Sequence, residues 1–468
     1  MNLKSPLSIA IVGGGFCGSM SLVHLARKAQ TKIHITIFYK AGPLVRGTAF
    51  STYSVEHLLN VAAKNMSAFP EQANHFVEWL SNKSDYSGLT KEEIGKLYVP
   101  RNVFGSYLEE IWNHTLSEMA QHVSYSIINS EVSSITSKGG MYELTTREGK
   151  SFDADKIIIA SGNQLPRAPL HDNHPIINSP LYFPNPWDEN CVTGLREHEP
   201  VLIIGTGLTM VDVVIGLTEN NFNGKIICVS PKGFHILPHR VLEPYPDFLE
   251  EIKPPYELGK LFRIFRKHIR LVKASNRSGE IVVDALRSRT QEVWQALSLP
   301  DRKKFMTHVR HLWGVARHRL PATVFERIQA LIKTGKLEIL AGRIISIETG
   351  EKMAGISIKN KKNSDINTFT VQRIINCTGP ESDPVRFKSK LFSQMLQDGL
   401  ICCDEMQLGI LAKPDGSIID AGGNNNKDIY VIGSLLRGTL WETTAVPELR
   451  VQAEHTAVQI LADKISEK

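Results

Sequence analysis

Cysteine is scarce in this chain of 468 residues, with six in all: Cys17, Cys191, Cys228, Cys377, Cys402 and Cys403. None forms a C-x-x-C pair or follows a metal-ligand rhythm, which argues against a dithiol–disulfide exchanger and against a metal site, and fits a reducing compartment. Cys402-Cys403 is the one adjacent pair, either two neighbouring structural thiols or a redox couple. No run approaches the roughly 20 apolar residues that span a bilayer. The short apolar opening flows straight into glycines and not toward a cleavage site. A soluble, cytoplasmic protein with no membrane partner is expected. Low-complexity blocks are missing too, and a composition of 42% hydrophobic and 22% charged residues predicts a folded chain of two or three domains.

The net charge of +6 is unevenly placed. Between Lys232 and Ala330 stand 19 Lys/Arg against 10 Asp/Glu, an excess of nine, so the remainder of the chain is acidic by three. That segment is a solvated helical surface or a site attracting a phosphate or carboxylate. It carries no recognisable nucleic-acid reading motif, so a nucleic-acid partner is not expected.

What is present is a repeated pattern. Ile9-Ala-Ile-Val-Gly13-Gly-Gly15-Phe-Cys-Gly18 is an apolar run ending in closely spaced glycines ahead of a helical pattern, and Val201-Leu-Ile-Ile-Gly205-Thr-Gly207 repeats it. Such a turn feeds a dinucleotide pyrophosphate onto a helix N-terminus. Gly13 permits the tight turn, Gly15 the close approach of backbone to pyrophosphate, and Gly18 close helix–strand packing. In the second unit Met210 and Val211 occupy the place of a third glycine. Asp212 follows, as a helical polar residue bonding a neighbouring loop or as a group at the cofactor cleft. Two such sites in one chain suggest that a flavin and a nicotinamide dinucleotide meet.

The acid expected at the end of each second strand is absent. The first reads Phe38-Tyr39-Lys40, where Tyr39 offers one hydrogen bond in place of a carboxylate's two. The second reads Ser230-Pro231-Lys232, with Arg240 beyond, and cations there suit the 2′-phosphate of NADPH better than NADH, which stays possible. Ala160-Ser161-Gly162 and Cys377-Thr378-Gly379 each end an apolar strand in a small residue and glycine, at a cofactor or at a crossing between domains.

Strands are expected at 7–12, 33–38, 156–160, 201–204, 225–229, 337–340, 355–358, 373–377 and 429–432. A β-meander is expected across 124–152, helices at 18–29, 73–81 and 103–121, and a closing helix from about Pro447. A proline-rich connector spans 166–186. The fold class is α/β: two Rossmann-like dinucleotide-binding domains, the second inserted in the first. The boundaries are 1–197 for the first part of an FAD-binding domain, 198–370 for an NAD(P)-binding domain with a helical insertion at about 241–330, and 371–468 for the return and C-terminal helix.

Further motifs are Gly47-Thr-Ala-Phe50, Leu58-Leu-Asn60-Val, Met66-Ser-Ala-Phe-Pro70, His75-Phe-Val-Glu-Trp-Leu80, Val99-Pro-Arg101 and Asn185-Pro-Trp187. Gly205–Asp212, Arg317-His-Arg319 and Gly438–Arg450 complete the set. On these residues the chain resembles a family of bacterial FAD/NAD(P)-binding proteins, distantly similar to flavin-dependent N-hydroxylating monooxygenases acting on ornithine or lysine. The resemblance runs nearly end to end and implies a glutathione-reductase-like pair of domains. It departs at Tyr39, where the family has an acid, at Pro231-Lys232, where it has a basic pair, and at Gly433-Ser434, where more distant FAD enzymes have Gly-Asp.

The resemblance implies FAD binding by Gly13, Gly15, Phe16, Cys17, Gly18, Tyr39, Arg101, Gly162 and Gly433, with Asn60, Met66 and Ser67 near the flavin ring or in a structured loop. NADPH falls to Gly205, Gly207, Leu208, Thr209, Lys232, Arg240 and Gly379. Glu442, Thr443 and Thr444 would present backbone N–H groups to the flavin's O2 edge, Glu442 acting there or as a helix-start carboxylate. Catalytic candidates are Asn60, His318, Arg319 and Trp441. The cluster from His308 to Arg319 is a basic exposed helix, a lid whose Arg317 and Arg319 hold the NADP phosphate or a substrate carboxylate, or, least expected, a metal site. The implied reaction is oxygenation of a small nucleophile, an amine or amino acid, by O2 through a C4a-hydroperoxyflavin. The substrate is a small molecule, anionic or an amino acid. The alternatives are a flavin reductase without oxygenation and a non-catalytic flavin-binding sensor or partner module.

Overall fold

A computed structural model describes residues 5–40, 42–171, 173–240 and 243–466. The chain alternates strand and helix from the start. Strands β1 (Leu7–Val12), β2 (Ile33–Tyr39) and β3 (Val123–Asn129) run parallel, Ile9 opposite Ile35 and Ile33 opposite Val123. Strands β4 (Val132–Lys138), β5 (Met141–Thr146) and β6 (Ser151–Ala154) form a small antiparallel sheet, and β7 (Lys156–Ile159) returns to the free edge of β1. β1 after Ser8 and β7 after Lys156 are apolar throughout, because parallel strands have both faces covered. Ile9, Ile11, Ile157 and Ile158 are fully buried.

The second sheet takes β8 (Tyr182–Phe183), β9 (Val201–Ile204), β10 (Ile226–Ser230), β11 (Leu337–Thr349), β12 (Ala354–Asn360), β13 (Ile366–Val371) and β14 (Arg373–Asn376). Their order is β13-β12-β11-β10-β9-β14-β8. β15 (Ser417–Ile419) and β16 (Asn425–Val431) then rejoin the first sheet, giving β15-β16-β7-β1-β2-β3. The mixed α/β architecture with two parallel-strand sheets is thus the expected one.

Three details differ from the sequence reading. β3 does not belong to a meander. It is the edge of the first parallel sheet, and its alternation reflects solvent on one side, with Tyr125 and Ile127 exposed. The second sheet also draws in β8 and β14, which lie outside 198–370, because both supply parallel partners on the β9 side. Finally, the first helix starts at Phe16, two residues before Gly18, with Gly15 in extended backbone as its N-cap.

The Phe16–Lys28 helix packs between the first sheet and the closing helix Val446–Ser466, where Lys28 bonds Glu454 at 2.8 Å. Its buried face includes His24, edge-on to Phe69. Loss of solvent lowers the His24 imidazole to about 4. Helices Leu258–Ala274, Thr290–Ala296, Arg310–Arg317 and Ala322–Lys333 fill the segment between β10 and β11. No helix of the described residues is long and apolar enough to cross a membrane.

Candidate dinucleotide sites

The two glycine turns are built alike, atom for atom where it matters. Gly13 has φ +118° and Gly205 φ +109°, backbone that favours glycine. The Gly13 N–H donates to Phe38 O at 2.8 Å, and the Gly205 N–H to Val229 O at 2.8 Å. A β-carbon at Gly13 would lie 2.2 Å from Ala160 O, and one at Gly205 would lie 2.3 Å from Cys377 O. So each strand-end suspected from the sequence, Ala160-Ser161-Gly162 and Cys377-Thr378-Gly379, crosses directly over its own glycine. Gly15 and Gly207 then cap the helices Phe16–Lys28 and Leu208–Glu219 with the same extended backbone, ψ −166° and −170°. The N–H groups that open each helix, at Phe16 and Cys17 and at Leu208 and Thr209, have no intrahelical acceptor and aim at the turn. A β-carbon at Gly18 would sit 1.8 Å from Gly13 O, so the third glycine is set by helix–strand contact.

Around the first turn the return segment closes in. A β-carbon at Gly433 would touch Cys17 Sγ at 3.6 Å. Ser434 Oγ donates to Gly162 O at 3.1 Å, and Thr443 Oγ1 to Gly433 O at 3.1 Å. Gln452 ties the group together, accepting from Gly433 N at 2.9 Å and donating to Thr443 Oγ1 at 2.6 Å. Gly162, Gly433 and Thr443 are therefore brought to the turn of Gly13–Gly18. Tyr39 and Leu44 stand over Gly14. Burial pushes the Cys17 thiol up to about 12.

Other sequence candidates are used differently. Arg101 Nη2 donates to Asp212 Oδ1 at 3.1 Å, its Nη1 lies 3.0 Å from Oδ2 as an ion pair, and its Nε donates to Leu58 O at 3.2 Å. Asp212 thus takes the loop-bonding reading, and burial pushes its carboxyl above the ordinary range. His57 Nε2 donates to Asp212 O, and His239 Nε2 to Asn60 O, both at 2.9 Å. These contacts fasten the loop of residues 52–60 to the second helix and to the segment after β10, and Tyr53 lies against Gly216. Met66 and Ser67 are buried, with Ser67 Oγ bonded to Phe69 O at 3.1 Å. Leu208 and Thr209 open the second helix, and Gly379 (φ +91°) follows the crossing at Cys377.

Lys232 and Arg240 are both exposed beyond β10, Arg240 lying 3.8 Å from Glu280. Lys361, which no motif announces, is set beside Lys232 by the turn after β12. Repulsion from Lys232, with Arg343 adding to it, holds the Lys361 ammonium below its usual range.

At the start of the closing helix, Glu442 accepts from Trp313 Nε1 at 2.8 Å, while Thr444 is exposed. Trp441 is buried and stacked on Trp294 at 5.0 Å. It occupies a γ-turn with φ 62° and ψ −71°, closed by Glu442 N–H to Leu440 O at 2.8 Å. That conformation is rare and strained for any residue with a side chain. Arg319 is unavailable to a phosphate or carboxylate, because Asp284 holds it bidentately at 2.9 and 3.1 Å. His318 is exposed, its Nδ1 at Gly314 O. Among the described residues no three His, Cys, Asp or Glu side chains form a metal set.

A β-carbon would fill both turns, and both put helix N–H groups at the same point, so the residues present fit two dinucleotides. Residues 10–164 match the family described as FAD-NAD(P)-binding. Among solved structures it is similar to L-lysine 6-monooxygenase from Pseudomonas syringae, at 15% identity and TM-score 0.67 over 97% of this chain and 99% of that one. It is similar also to the ornithine N-hydroxylase of Kutzneria sp. 744, at 14% identity and TM-score 0.62 over 98% and 100%. A thioredoxin reductase from T. acidophilum aligns at 13% identity and TM-score 0.52 over 98% of each chain. At these identities the likeness is one of fold. No curated protein matches the chain.

Proposed function

We propose that this protein is an FAD-dependent NAD(P)H oxidoreductase that oxygenates a small amine or amino acid with O2. The observation that carries the reading is the duplicated cradle, Gly13 under Ala160 and Gly205 under Cys377, on one polypeptide. When bound, the flavin accepts hydride from the nicotinamide and passes electrons to O2. The chain's own part is to bind, orient and exclude water. The Gly13–Gly18 turn and the N–H groups at Phe16 and Cys17 would hold the FAD pyrophosphate, with Tyr39 at the ribose. Gly205–Thr209 would hold the nicotinamide dinucleotide, and Lys232 and Lys361 its 2′-phosphate, which favours NADPH. The backbone at Glu442–Thr444 would stabilise negative charge on the reduced ring from a helix N-terminus.

Disulfide reduction, the chemistry of the thioredoxin reductase neighbour, has little support. That chemistry needs a reactive thiolate pair, and burial raises all six thiols here. Six free cysteines also suit a cytoplasmic protein. The test is anaerobic reduction by NADPH followed by mixing with O2 across a panel of amines and amino acids. Oxygenation predicts a transient absorbance unlike either the oxidised or the reduced flavin, and one oxygenated product per NADPH. Fast reduction without a transient, with preference for an added acceptor, would make it a plain reductase. A yellow protein that neither nicotinamide reduces would be a binding module.

A further inference from the structure

Four arginines converge where the helical insertion meets the start of the closing helix. Arg287 lies within electrostatic reach of Arg317, Glu448 and Glu442, and Arg437 within reach of Arg310 and Glu442. Glu442, Glu448 and Asp284 face them, and Asp284 is already held bidentately by Arg319. Glu442 already accepts from Trp313, and burial pushes the Glu448 carboxyl toward its neutral form. The remaining cations nearby are committed elsewhere, Arg319 to Asp284 and Arg302 to the carbonyls of Trp294, Gln295 and Leu297.

Arg317 shows the imbalance most directly. Its side chain is 10% exposed, yet its guanidinium comes no closer than 3.9 Å to Glu442 or Glu448. Among the described residues its Nε has no hydrogen-bond partner, nor does the buried Trp441 Nε1. Arg437 lies with its guanidinium 4.9 Å above the Trp441 ring, the residue held in the strained γ-turn. Buried donors left unpaired are costly, and a guanidinium out of water more so. With Asp284 set against Arg319, four arginines stand against two carboxylates, an excess of at least two.

We infer that this cluster is a substrate subsite for a small molecule carrying two anionic groups, carboxylate or phosphate. The inference rests on the oxidoreductase reading, since it places the substrate beside Glu442–Thr444. A dianion would neutralise the excess and occupy the open donors of Arg317, whereas a monoanion leaves one charge uncompensated and a diamine is repelled.

The test titrates flavin-loaded protein and its Arg317→Gln variant with succinate, inorganic phosphate, acetate and putrescine, followed by tryptophan fluorescence from Trp313 and Trp441. Flavin content and reduction by NADPH and by NADH are measured on the same samples. Succinate or phosphate is expected to bind at least tenfold more tightly than acetate, putrescine not at all. Arg317→Gln should weaken the dianion at least tenfold with flavin content unchanged. The better of succinate and phosphate identifies the anionic group. Equal dianion affinity in variant and parent, or preference for putrescine, overturns the inference. So does a variant that loses reduction by NADPH but not by NADH, because the cluster would then hold the cofactor's phosphate. Should Arg317→Gln fail to fold, Arg437→Gln makes the same comparison. Colourless protein would sink the oxidoreductase reading while leaving dianion binding measurable on its own.

Discussion

At the first glycine turn the chain folds back over itself: Leu44 and Tyr39 close on Gly14, and a β-carbon at Gly15 would lie 3.6 Å from Gly47 Cα. At the second, nothing comes within 4 Å of a β-carbon at Gly207, and that glycine is exposed. The turns beneath are the same to within ten degrees and a tenth of an ångström. The difference therefore lies in what covers them. A covered turn suits a cofactor that stays through many turnovers, and an open one suits a cofactor that enters and leaves on each. One backbone device thus serves two residence times, chosen by the loop above it.

The crossings themselves should be the hardest part of this comparison to disturb without damage. Gly13→Ala forces a β-carbon into Ala160 O at an unfavourable φ, and about 3 kcal/mol of stability or more should be lost with the flavin. Gly205→Ala should do comparable local harm against Cys377 O yet leave the protein yellow. Thermal unfolding and visible absorbance check both, and the duplication argument fails if the two variants lose flavin equally. Next in size come the cap positions. Gly15→Val should give colourless protein, because its branched methyls run into Gly47, whereas Gly207→Val should keep flavin and lose reduction by NADPH. Full flavin content in Gly15→Val would contradict the first-site assignment.

Two buried groups on the cradle helices, His24 on the first and Asp212 on the second, shift in opposite directions. His24 is neutral in folded and unfolded chain above pH 6.5. As pH falls toward 4 the unfolded chain gains the proton first, so about 3 kcal/mol of stability should drain away across that window. Asp212 has its carboxyl raised, so its penalty grows as pH climbs above the ordinary value of 3.8. Denaturant titrations from pH 4 to 7 should show a shallower slope in His24→Leu than in the parent, and an unchanged slope would remove His24 from the account. The smallest effect belongs to the exposed cations. Lys232→Ala with Lys361→Ala should raise the Michaelis constant for NADPH about fivefold, the scale of an exposed charge pair, and leave that for NADH alone. Parallel changes for both nicotinamides would end the 2′-phosphate argument.

Much of this was readable along the chain because the physics is local. A strand buried on both faces must be apolar, and a turn with positive φ beneath a crossing carbonyl must be glycine, so both cradles and both crossing strands stand out in the sequence. β3 was hidden because an edge strand alternates as a meander strand does. Arg101 and Asp212 find each other across 111 positions, and nothing near either residue announces the partner. Arg317 and Arg319 are two residues apart with opposite fates. The Arg310–Arg317 helix stops there, His318 turns extended at φ −100° and ψ 105°, and Arg319 is swung onto Asp284. Arg287 and Arg437 had no signal at all, since their significance is spatial convergence.

What presses on Gly13 and Gly205 is main chain, Ala160 O in one case and Cys377 O in the other. Trimming a neighbouring side chain therefore cannot make room for a methyl at either place. Selection for second-site suppressors of Gly13→Ala or Gly205→Ala should return reversions to glycine and nothing else, leaving these two positions with no evolutionary detour.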